Sequence, residues 1–185
     1  GAPTVKFEEG DLGDSIVPKM TLLKALITNS AGTIKGSNKV PDCSKGFGVI
    51  HVADALVFAD EKEKMDSFGL RISSDKFTLT GEDFQDYVAV INLIDQVDSE
   101  NRRPLVVSLT WLDPPSGNSI PIFADLDLFI ECPDGKVVFG NQISGENEEM
   151  YATTERVTIE QPTGGMYKIH VTCPKLSKQV KISPS

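Results

Sequence analysis

Apolar positions divide this chain into two patterns. Between Pro18 and Ser30, Leu22, Leu23, Leu26 and Ile27 recur at i, i+1, i+4 and i+5, the stripe of an amphipathic helix. Pro18 suits a first helical turn, and Gly32 stands just past the end, where a helix commonly stops. A second short helix is expected over Val52 to Phe58, with Val52, Ala55 and Leu56 on one face. Two short helices bury little by themselves. They either dock on the rest of the chain or close a larger domain.

From residue 67 onward the period changes to two. Strands are expected at Phe68–Ile72, Phe77–Thr80, Asp86–Ile94, Leu105–Leu112, Ala124–Cys132, Val137–Gly140, Glu155–Glu160, Met166–Cys173 and Gln179–Ile182. Pro133-Asp134-Gly135 and Thr163-Gly164-Gly165 are turn signals. Alternation places Val107, Leu109 and Trp111 on one face of their strand, with Val106, Ser108, Thr110 and Leu112 on the other. Trp111, the sole tryptophan, is therefore expected in the core. Tyr167, Ile169 and Val171 likewise share a face. About eight to nine strands without intervening helices predict a mainly-β chain: an antiparallel sandwich or jelly roll preceded by one or two short helices. The charged run Asp60-Glu61-Lys62-Glu63-Lys64 reads as a connection between residues 1–58 and 59–185.

Composition narrows the function classes. With 185 residues and 39% hydrophobic content, the chain can bury a core and is too apolar for a disordered segment. No stretch approaches the roughly 20 apolar residues of a membrane span. The formal charge is −9, from 18 Lys+Arg against 27 Asp+Glu, with no basic stripe. That balance argues against nucleic acid and anionic lipid as partners. It is compatible with Ca²⁺, and equally with a plain solubilising surface.

Nucleophilic chemistry has few residues to draw on. His51 and His170 are the two histidines. His51 reads as structural, and His170, between Ile169 and Val171, is expected to face away from the core. Gly13-Asp14-Ser15-Ile16 has the look of an esterase motif but lacks the downstream Asp-x-x-His that such chemistry needs, so Ser15 reads as a cap or turn. No catalytic residue is assigned. Cys132 and Cys173 each end a strand and precede a proline. Two readings stand: a disulfide in an oxidising compartment, if those ends are neighbours, or two small buried hydrophobes.

Asp125 and Asp127 are the most informative pair. The strand period puts both carboxylates on one face, with Cα atoms roughly 7 Å apart, and Leu126 and Leu128 on the other. Like charges so placed repel unless solvated or neutralised by a cation such as Ca²⁺. The alternative is a polar strand face with ordinary hydrogen bonds.

Several motifs resemble the subtilisin-like serine proteases. Met20-Thr-Leu-Leu-Lys-Ala-Leu-Ile-Thr-Asn-Ser-Ala31 is similar to the last long helix of their catalytic domain, Gly46-Phe47-Gly48-Val49 to the turn closing it, and Ala55-Leu56 to the segment after that turn. Val107-Ser-Leu-Thr-Trp-Leu-Asp-Pro-Pro115, Ala124-Asp-Leu-Asp-Leu128, Cys132-Pro-Asp-Gly135, Gly140-Asn141, Thr154-Glu-Arg-Val157 and Gly164-Gly-Met-Tyr-Lys-Ile169 resemble, in order, the β-sandwich that follows the catalytic domain in one branch of the family. The Gly-Thr-Ser-Met-Ala nucleophile motif and the Asp and His segments are absent, and Ala152-Thr153-Thr154 replaces an Asn-Asn pair.

The resemblance implies that residues 1–58 are the helical tail of a catalytic domain and residues 59–185 its C-terminal jelly-roll, P-domain-like sandwich. The implied parent is a serine endopeptidase acting on peptide substrates, extracellular or in the secretory pathway. The implied role of this chain is accessory: stabilising the remainder of the catalytic domain, with Asp113, Asn141 and Glu155 joining Asp125 and Asp127 as candidate Ca²⁺ ligands. The alternative function is a stand-alone β-sandwich module binding carbohydrate or protein. Surface aromatics would favour it, and aromatics make up 7% of the chain.

Overall fold

A computed structural model describes residues 4–5, 19–32, 41, 44–52, 72, 87–93, 103–113, 122, 124–141 and 152–176. Among them the chain is mainly β, with one helix. In chain order the elements are β1 (Thr4–Val5), α1 (Met20–Ser30), β2 (Ala31–Gly32), β3 (Val49–Ile50), β4 (Tyr87–Leu93), β5 (Leu105–Thr110), β6 (Ala124–Glu131), β7 (Val137–Phe139), β8 (Thr154–Ile159) and β9 (Gly165–Leu176). The strands expected at Phe68–Ile72, Phe77–Thr80 and Gln179–Ile182 lie outside the described residues except for Ile72. So does the helix expected over Val52 to Phe58, apart from Val52 itself, and so does Ser15.

One sheet has five strands in the order β1-β4-β9-β6-β7. Its long ladders, β4 with β9 and β6 with β9, are antiparallel, while β1 joins β4 in parallel. A separate antiparallel ladder pairs β5 with β8, Ser108 opposite Arg156 and Leu109 opposite Glu155. The two β layers enclose the core. Ala89, Leu126, Leu128, Ile130, Tyr167, Ile169 and Val171 come from the first layer and Val157 from the second, with Leu105, Val107, Leu109, Trp111 and Ile159 packed against them. Alternation selects this set: every second residue of β6 is buried. Trp111 packs on the core as expected, and its indole N–H donates to the Ala124 carbonyl at 3.1 Å.

The other face of the β5–β8 ladder carries α1. Asn29 Nδ2 donates to the Val106 carbonyl at 3.0 Å, Thr110 Oγ1 donates to the Thr21 carbonyl at 2.7 Å, and Lys24 Nζ reaches Thr153 Oγ1 at 2.9 Å. The polar residues at alternate β5 positions therefore meet a polar stripe of the helix. The expected apolar stripe splits as a result: Leu22 and Leu26 are half-buried, while Leu23 and Ile27 are exposed.

Gly32 stands just past the helix end, as expected, but without the positive φ of a glycine cap. The cap is Ala31, which takes an extended conformation at φ −69°, ψ 120°. Gly32 continues into β2, paired with Val49, where a Cβ would lie 3.1 Å from the His51 ring. Of the two readings of the cysteines, the Cys132–Cys173 bridge is absent, and both side chains are half-buried. Antiparallel pairing sets Glu131 opposite Lys168 and Asp127 opposite Thr172, so the ends of β6 and of β9 lie at opposite edges of the ladder. Six residues along a strand separate the two cysteines by about 20 Å, where a disulfide needs Cα atoms within about 7 Å.

Candidate functional site

Of the residues singled out in the sequence, Glu155 and Asn141 stand where β6, β7 and β8 meet, Asp125 and Asp127 lie along β6, and Asp113 lies at its start. β7 pairs with β6 only from Phe129 to Glu131. Beyond that, the backbone of Leu128 would face an open edge, and an unpaired buried amide is costly. Two residues close it. Gly140 N–H donates to the Leu128 carbonyl at 2.7 Å, and the Glu155 Oε2 carboxylate oxygen accepts from Leu128 N–H at 2.8 Å. Gly140 must lack a side chain here, because a Cβ would stand 2.5 Å from Glu155 Oε2 and 3.1 Å from the Leu128 carbonyl.

Asn141 does the same for β8. At φ 49°, a conformation asparagine tolerates better than most residues, it turns back onto the strand. Its N–H donates to the Arg156 carbonyl, its Oδ1 accepts from Arg156 N–H at 3.1 Å, and its Nδ2 donates to the Thr154 carbonyl at 2.8 Å. The residue is buried, at 7% exposure. Asp113 also serves backbone: its Oδ1 accepts from Ala124 N–H at 2.9 Å, at the start of β6.

Asp125 and Asp127 alternate with the buried Leu126 and Leu128, as the period-two reading requires. An irregularity lies between them, where Asp127 pairs with Thr172 but Asp125 with Lys175. Both act on Glu155. Burial is the main cause that pushes its carboxyl up to about 7; the Leu128 N–H opposes this, and the charges of Asp127 and then Asp125 add to it. Asp125, Asp127 and Glu155 therefore form one electrostatic unit, with Asn141 and Gly140 behind it and Asp113 at the head of the same strand. Among the described residues no three His, Cys, Asp or Glu side chains are grouped closely enough to hold a metal ion.

The sequence reading assigned these residues a chemical role and missed their architectural one. The signal was present in Gly140-Asn141, a pair suited to a tight turn, but its strand partners are 13 to 15 positions away.

The histidines do not assemble a nucleophilic site. His51 is exposed beside Gly32. His170 is on the outer face of the five-stranded sheet, stacked on Phe129 with ring centroids 4.5 Å apart and planes 5° apart. Its Nε2 is 3.7 Å from Glu131 and has no hydrogen-bond partner among the described residues. Phe139 continues this row across β7, 5.6 Å from Phe129. Phe139 is tilted by 40° to Phe129 and is exposed.

Comparison of the chain with models of protein families gave no match, and neither did comparison with curated proteins.

Proposed function

We propose that this chain is the C-terminal region of a subtilisin-like serine endopeptidase: the last helix of the catalytic domain followed by an accessory β-sandwich of jelly-roll type that stabilises it. The observation that carries the reading is the ordered series of motifs from α1 to β9, which resembles that branch of the family over most of the chain. Two structural features support it. The antiparallel β layers suit a sandwich domain, and α1 with the Gly46-Phe47-Gly48 turn lies against the β5–β8 ladder, as a catalytic-domain tail beside its sandwich would. The exposed Met20, Leu23 and Ile27 on α1 are the surface this reading assigns to the rest of the catalytic domain. Bond cleavage belongs to that remainder, with its Ser-His-Asp triad; the substrate is a peptide or protein.

Calcium is the cofactor this reading carries. Asp125, Asp127 and Glu155 offer the hard oxygen donors that suit it; they are not grouped as a ready-made site, so holding an ion would require these side chains to draw together. Asp113 and Asn141 would act mainly through the backbone contacts they already make.

The coding sequence upstream of Gly1 tests the reading directly. A Gly-Thr-Ser motif within a few dozen residues is expected, and an unrelated domain there overturns it. In a peptidase assay this chain alone should be inactive. Activity abolished by a serine-directed inhibitor would show a self-contained hydrolase instead.

A further inference from the structure

Arg156 departs from the pattern of its strand. The outer face of the β5–β8 ladder presents small polar groups to α1, yet Arg156 places a guanidinium there. Its Nη1 has three backbone carbonyls as acceptors: Ala31 at 2.6 Å, Thr28 at 3.2 Å and Phe47 at 3.5 Å. These belong to the first residue of β2, the last turn of α1, and the glycine-flanked turn before β3. Two of them are 125 and 128 positions away in the chain.

Helix C-terminal carbonyls lack intrahelical donors and carry the negative end of the helix dipole. α1 has no basic residue in its last turn to answer this. Arg156 supplies the cation from another element. The root of its side chain is fixed as well, because Asn141 holds both its N–H and its carbonyl on the side away from β5. The guanidinium is partly desolvated, and its Nε is buried with no partner among the described residues.

We propose that Arg156 is the positioning residue that locks the end of α1 and the Phe47 turn, themselves joined through the β2–β3 pair, onto the sandwich. The inference does not depend on the protease reading. It concerns where α1 sits, whatever α1 goes on to meet. Lysine would not substitute: all three contacts are made by Nη1, and the shorter lysine stem does not carry its ammonium to that place.

The test is amide hydrogen exchange on the full chain, comparing wild type with Arg156→Met and Arg156→Lys. In both variants the amides of residues 24–32 and 47–50 should lose at least tenfold in protection, while those of β6 and β9 stay within about threefold. Unchanged protection in α1 overturns the proposal. So does an equal loss in β6 and β9, full rescue by lysine, or failure of the Met variant to fold, since each makes Arg156 a general stabiliser or dispensable. A second measurement needs no variant: the Arg156 Nη protons should be resolved and slow to exchange by NMR, and free exchange with solvent would count against the proposal.

Discussion

At the scale of single residues, the junction of β6, β7 and β8 depends on a close fit between a missing side chain and a present one. Gly140 and Glu155 both bond to Leu128, and a Cβ on residue 140 would stand 2.5 Å from the carboxylate. Gly140→Ala must therefore displace Glu155 from the Leu128 N–H or shift the turn, at a cost of about 1–3 kcal/mol. In a Glu155→Ala background the same change meets only the Leu128 carbonyl, at 3.1 Å. The expected outcome is a coupling of about 1–2 kcal/mol in a double-mutant cycle measured by denaturant unfolding. Strict additivity would mean that the two residues do not share this site.

At the scale of elements, α1 is held to the β5–β8 ladder by polar contacts from Thr21, Lys24, Asn29 and Arg156. A chain beginning near residue 60 loses all of them, together with β1 at the edge of the five-stranded sheet and the β2–β3 pair, and uncovers Val106, Ser108 and Thr110. Because the core cluster comes from the strands alone, that shortened chain should still fold cooperatively. Its thermal midpoint should fall by several degrees, as lost contacts worth about 1–2 kcal/mol would dictate. Loss of cooperative folding would make α1 part of the sandwich itself. β6 and β9 were legible because their burial alternates, and a period of two is a local signal: β6 runs Ala124–Glu131 where the pattern placed Ala124–Cys132. What lay beyond reach was long-range. The apolar stripe of α1 pointed to Leu23 and Ile27 as buried, but the partner face is polar and turns Asn29 inward instead. Gly32 marked the end of the helix, but nothing local pointed to the arginine, 125 residues after Ala31, that answers its terminal carbonyls. The two cysteines had matching contexts, and only the strand register sets them far apart.

At the scale of the whole molecule, the −9 charge matters most where it is concentrated and buried. Glu155 titrates near 7 in the folded chain against 4.5 for a free carboxyl. Below pH 4.5 both folded and unfolded chains hold the proton, and the stability associated with it is fully present. Between 4.5 and about 7 the unfolded chain releases it and the folded chain does not, so stability falls as pH rises, by at most about 1.4 kcal/mol per unit. In the presence of chelator, melting of the wild type should therefore decline from pH 5 to pH 8 more steeply than melting of Glu155→Gln. Equal slopes would detach Glu155 from the effect. The proposed calcium would act in the opposite direction: a divalent cation beside Asp125, Asp127 and Glu155 would favour the ionised carboxylate, and its stabilisation would grow as the proton leaves. The wild-type midpoint at pH 8 should rise on adding calcium, little at pH 5, and Asp127→Asn should abolish most of the rise. If calcium and chelator give the same midpoints at both pH values, the cluster holds no calcium, and its carboxylates serve the strand junction alone.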